Sequence, residues 1–93
     1  MKDCLIACIR GRVQGVGFRY HTQAQANRLN ISGWVRNCPD GSVEACICGN
    51  PTQIASMQQW LKQGPDFAVV DHIEFSAGHL PDNCNDFRIR YIT

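Results

Sequence analysis

A chain of 93 residues, 44% hydrophobic and 18% charged, has the make-up of one small soluble globular domain spanning 1–93. A net charge of +1 with no low-complexity block or internal repeat excludes a disordered chain, and it excludes the basic stripe that neutralises many phosphates of a nucleic acid. No stretch approaches the roughly 20 apolar residues of a membrane span, and Met1-Lys2-Asp3-Cys4 enters a strand-like segment without the apolar core of a signal peptide, so a cytoplasmic protein is expected.

Leu5 to Arg12 is rich in Ile, Leu, Ala and Cys and reads as a mostly buried first strand, followed by a glycine-punctuated loop. From about Phe18 to Leu29 there is neither Pro nor Gly, and Ala24, Ala26, Arg28 and Leu29 favour a first helix, though its amphipathic pattern is weak. Ile31 to Asn37 reads as a second strand. Cys38-Pro39-Asp40-Gly41 supplies turn chemistry, and Ser42 to Cys48 alternates into a third strand that completes a hairpin. Gly49-Asn50-Pro51-Thr52 breaks the strand and starts a second helix. In it Ile54, Met57, Trp60 and Leu61 recur on one face before Gln63-Gly64-Pro65. Ala68 to Phe75 is a fourth strand, Gly78 to Asn85 a polar connection, and Phe87-Arg88-Ile89-Arg90-Tyr91 a closing strand. The order β-α-β-β-α-β, with the last β split into two short strands, is that of an α+β ferredoxin-like sandwich. Such a fold has an antiparallel sheet of four to five strands and two helices on one face.

The chemistry concentrates in Gly11-Arg12-Val13-Gln14-Gly15-Val16-Gly17-Phe18-Arg19, between a strand and a helix. Glycines let successive backbone N–H groups converge on an anion, the following helix presents its positive N-terminal end, and an arginine grips oxygens in a bidentate fork. By itself a short Gly-x-Gly between strand and helix is more often just a tight turn. The loop also lacks the Gly-Lys-Ser/Thr of a nucleotide P-loop and the full dinucleotide fingerprint. Asn37, at the end of the second strand, is a position that a split βαβ connection could bring to the same rim as Arg19. An amide there would orient a water beside a phosphate, or would cap the Pro-Asp-Gly turn.

Taken together, Gly11 to Arg19, the Gly33-Trp34-Val35-Arg36-Asn37 strand, the Asp40-Gly41-Ser42-Val43-Glu44 hairpin and the closing Phe87-x-Ile89-x-Tyr91 strand resemble the acylphosphatase family over nearly the whole chain. The resemblance implies a cofactor-free, metal-independent hydrolase. Its partners would be a small-molecule acyl phosphate and inorganic phosphate, with no nucleic acid and no membrane, and it would act as a monomer. It also implies that Arg19 binds the phosphoryl group and that Asn37 positions the attacking water. The N–H groups of Gln14, Gly15, Val16, Gly17, Phe18 and Arg19 would form the phosphate cradle. Such a site is chemically sufficient, because a carboxylate leaving group with a conjugate-acid pKa of about 4 needs no general acid. Holding the phosphoryl group and aiming a water in line remain.

The other reactive side chains are read as structural. The mechanism gives His21 no task, so a surface or packing role is expected for it. Cys46-x-Cys48 shares one strand face but has no Cys-x-x-Cys or His pair to complete a metal site. The six cysteines (Cys4, Cys8, Cys38, Cys46, Cys48, Cys84) are expected to be mostly reduced small core residues. In the implied topology Cys4, near the start of the first strand, could face Cys48, near the end of the third, so a disulfide is geometrically conceivable, against which a reducing cytoplasm weighs. Trp34, Phe18, Met57 and Trp60 are packing residues, and the aromatic-free strand Val43 to Cys48 argues against an RNA-recognition module. A regulatory phosphate- or carbamoyl-phosphate-binding module, like the acylphosphatase-like domains of larger hydrogenase-maturation proteins, is the remaining alternative. A free-standing chain of this length argues against it.

Overall fold

The computed structural model describes residues 3–80 and 84–91; Met1, Lys2 and positions 81–83 of the polar connection expected over 78–85 lie outside the described residues. The elements are β1 (Asp3–Arg12), α1 (Phe18–Arg28), β2 (Ser32–Asn37), β3 (Val43–Gly49), α2 (Pro51–Gln63), β4 (Val69–Ala77) and β5 (Phe87–Arg90). They form one five-stranded sheet in the order β4-β1-β3-β2-β5. Both β1 and β2 pair antiparallel with β3, and β4 pairs antiparallel with β1.

The two short strands expected at the end of the chain sit at opposite edges of the sheet. β4 extends the β1 side, whereas β5 runs parallel to β2. The sheet is therefore mixed, antiparallel except at this one edge. β4 ends beside the start of β1, with Ala77 opposite Leu5, and β5 begins beside the start of β2, with Phe87 opposite Gly33, so the long return that a parallel partner of β2 needs is made by β3, α2 and β4.

Strand alternation sorts the side chains by face. Ala7 and Ile9 of β1, Val35 of β2, Val43, Ala45 and Ile47 of β3, and Phe87 of β5 join one core with Phe18 and Ala26 of α1 and Ile54, Met57 and Leu61 of α2. Both helices thus cover the same face. Burying Met57 and Leu61, each fully enclosed, stabilises by about 1.5–3 kcal/mol apiece. Trp60 is half-buried and packs its ring 6.0 Å from that of Phe18, joining the two helices.

The opposite face carries Cys4, Cys46, Cys48, Trp34 and the arginines of β2 and β5. In the β1–β3 register Cys4 stands directly opposite Cys48, with Cα atoms 4.1 Å apart, and the two are joined in a disulfide. Cys8, Cys38 and Cys46 are free thiols. Burial pushes the Cys46 thiol up from its ordinary value, with nearby Glu44 adding to the effect. Trp34 lies under the guanidinium groups of Arg36 and Arg90, 5.7 and 5.1 Å from its ring centre, so it serves as a cation platform more than as core. No described helix is long and apolar enough to cross a membrane.

Candidate active site

The two helices begin differently, and the difference locates the site. α2 starts with a closed capping box: the Asn50 side chain accepts from the Gln53 N–H at 2.8 Å, and the Gln53 side chain accepts from the Asn50 N–H at 2.8 Å. α1 starts at Gly17, whose backbone is left-handed at φ 75, with no side-chain cap and no acidic residue in its first turn. Its N-terminal N–H groups and the positive end of its dipole are left to meet an anion.

Gly15 adopts the same φ of 75 as Gly17. Nothing lies within 4 Å of where a Gly15 Cβ would be, so the backbone conformation, not crowding, requires glycine there. Two left-handed residues this close together curl the segment so that successive N–H groups turn into one concavity. The backbone N–H groups of Gln14, Gly15, Val16, Gly17, Phe18 and Arg19 donate to no acceptor among the described residues.

This loop forms part of a cleft of about 260 Å³ lined by Gly15, Gly17, Phe18, Arg19, Asn37 and Tyr91, among others. Arg19 and Asn37, 18 positions apart in sequence, thus share one cavity. The Arg19 guanidinium makes no hydrogen bond or ion pair with any described residue; its recorded contact is with the Tyr91 ring. Asn37 Oδ1 is buried with no hydrogen-bond partner among the described residues. An orphaned buried acceptor costs about 1–3 kcal/mol, and such a group is kept where something else is meant to donate to it.

The six cradle positions divide. Gly15, Gly17, Phe18 and Arg19 line the cleft, whereas Gln14 and Val16 do not. Phe18 offers only its backbone, because its side chain is buried in the core. Gln14 instead donates its side-chain amide to the carbonyls of Cys38 and Ser42, 2.8 Å each, tying the loop to the β2–β3 turn. That turn is itself closed by Asp40, which accepts from the Ser42 hydroxyl at 2.6 Å and from its N–H at 3.0 Å. The same carboxylate meets Arg10 at 3.1 Å.

Sequence reasoning missed Tyr91 and the anchoring by Gln14. The alternation Phe87-Ile89-Tyr91 signalled that Tyr91 faces the helix side; what it could not signal was that β5 lies beside β2. His21 lines a neighbouring cleft with Arg28, Trp60 and Phe67, its ring 3.4 Å from where a Gly17 Cβ would stand. A larger cleft of about 1060 Å³ on the helix-free face, lined by Trp34, Arg88 and Arg90 among others, contains neither Arg19 nor Asn37. Among the described residues no three His, Cys, Asp or Glu side chains are grouped as metal ligands.

Residues 5–89 match the family model described as Acylphosphatase. An acylphosphatase of Geotalea uraniireducens is 42% identical over 91 residues, covering 98% of this chain and all of that one. An acylphosphatase of Acaryochloris marina is 52% identical over 77 residues, 83% of either chain. Among solved structures, an acylphosphatase from Coxiella burnetii superposes with a TM-score of 0.88 at 35% identity, covering 96% of this chain and 93% of that one.

Proposed function

This chain belongs to the acylphosphatase family, whose reaction is the hydrolysis of acyl phosphates, and from that premise we propose that Arg19 and the loop amides hold the phosphoryl group while Asn37 aims the water. The observation that carries the reading is the convergence of unpartnered groups on one cleft. These are the Arg19 guanidinium, the uncapped N-terminus of α1 and the buried Asn37 Oδ1.

In this scheme the phosphoryl oxygens accept from the Gly15, Gly17, Phe18 and Arg19 amides and from the planar fork of Arg19, which disperses their charge as the P–O bond to the acyl group lengthens. Asn37 Oδ1 accepts a hydrogen bond from the water and so turns a water lone pair toward phosphorus. The carboxylate departs without protonation, since it is a weak base. The water's proton passes to a phosphoryl oxygen, so the site needs neither a side-chain base nor a metal. The substrate is a small acyl phosphate, the products are a carboxylate and inorganic phosphate, and the chain acts as a single-domain cytoplasmic monomer.

Hydrolysis of benzoyl phosphate in excess EDTA, measured beside folded Arg19→Ala and Asn37→Ala variants, tests this reading. Metal-independent turnover that both substitutions reduce by at least about 100-fold is expected. A folded wild type that binds phosphate without turning over the acyl phosphate would replace it with the regulatory phosphate-binding module.

A further inference from the structure

Tyr91 has no part in the scheme above, yet it stands in the same cleft. β5 runs parallel to β2 with Val35 opposite Ile89 and Arg36 opposite Arg90. Tyr91 therefore follows one step beyond, next to Asn37, and both project to the helix side because Val35 and Ile89 do. Tyr91 is 70% exposed, so core packing does not explain an aromatic at this position. Its ring centre lies 5.1 Å from the guanidinium carbon of Arg19.

A guanidinium has two usable surfaces. Its edge carries the N–H donors that fork onto phosphate oxygens, and its flat face is attracted to the π-cloud of an aromatic ring. A carboxylate placed beside Arg19 would occupy the edge and compete with the phosphoryl group. A ring takes only the face, so it restrains a long, flexible side chain and leaves every donor available. Among the described residues the Arg19 guanidinium makes no hydrogen bond or ion pair, and its ring contact is with Tyr91.

Resting on the phosphate-holding role of Arg19 proposed above, we propose that Tyr91 is a positioning residue for Arg19. Its ring holds the guanidinium edge-on to the loop amides and so sets the affinity of the site for the phosphoryl group.

The test is inorganic phosphate affinity, read by NMR titration, together with kcat/KM for benzoyl phosphate, in wild type, Tyr91→Phe, Tyr91→Leu and a Tyr91 series replaced by progressively fluorinated phenylalanines. Phe should match Tyr. Leu should lose about two- to fivefold in both quantities, the worth of an exposed cation–π contact, and the fluorinated series should decline in step as the ring quadrupole is withdrawn at constant shape. Equal phosphate affinity in Leu and Tyr, or a Phe variant as weak as Leu, overturns the proposal. So does an Arg19→Ala variant that binds phosphate as wild type does. If phosphate binds but no acyl phosphate is hydrolysed, the catalytic reading fails, while the phosphate series still decides the role of Tyr91.

Discussion

Gln14 donates its side-chain amide to the Ser42 carbonyl at 2.8 Å across 28 positions of sequence, and that bond, with its twin to Cys38, makes the glycine loop and the hairpin turn one mechanical unit. Asn37 immediately precedes the turn and Arg19 closely follows the loop, so the unit sets the spacing between the two proposed site residues. Both carbonyls keep a backbone donor, Cys38 to Ser42 at 2.8 Å and Gly41 to Cys38 at 3.1 Å. Gln14→Ala should therefore cost only about 1–2 kcal/mol of stability while weakening phosphate binding more than Tyr91→Phe does. Urea melts and phosphate titrations check this; wild-type affinity in the alanine variant would show that the loop holds its shape unaided.

Gly15→Ala is a sharper probe of the loop. The new methyl group meets nothing, so the variant bears only the conformational cost of a left-handed L-residue, about 1–2 kcal/mol. The expected result is a modestly less stable protein whose phosphate affinity falls several-fold, since the loop escapes its strain by turning the amides away. A crystal structure with the loop unchanged and full affinity would count against a backbone cradle.

Reduction should destabilise the fold. The Cys4–Cys48 bond closes a span of 44 residues, for which the chain-entropy argument gives about 4 kcal/mol, with about 2–4 typical of measured bonds. Chemical denaturation with and without dithiothreitol should show a midpoint that drops on reduction, whereas Cys4→Ser/Cys48→Ser should not respond. An unchanged wild-type midpoint would mean the bond is absent in solution.

The turn also has an acid limit. Hydrogen bonds from the Ser42 hydroxyl and then from the Ser42 N–H hold the Asp40 carboxyl down to about 2, with Arg10 assisting. Because the folded value lies below the ordinary 3.8, the stability this carboxylate contributes is present above pH 4 and is lost as pH falls toward 2. An NMR titration of Asp40 should give the low value in wild type and a higher one in Ser42→Ala. Identical values in the two proteins would assign the shift elsewhere.

The element order, the helix-facing residues of α2 and the pairing of β2 with β3 were all legible in the chain, because they follow from periodicity and turn residues that act over a few positions. Arg19 and Asn37 were legible only through family resemblance, since a Gly-x-Gly turn and a strand-end asparagine each have an ordinary structural use. The placement of β4 and β5 on opposite edges was beyond reach, because it depends on which edge each strand finds as the whole sheet packs. Seating β5 beside β2 creates their parallel register, and with it brings Asn37, Tyr91 and Arg19 to one cleft. The Cys4–Cys48 bond belongs to both levels: alternation set the two sulfurs on one face, and the β1–β3 register brought their Cα atoms to 4.1 Å. Local pattern determined what each segment is, whereas long-range pairing decided which side chains share a cavity, since strand register is settled by the packing of the whole sheet.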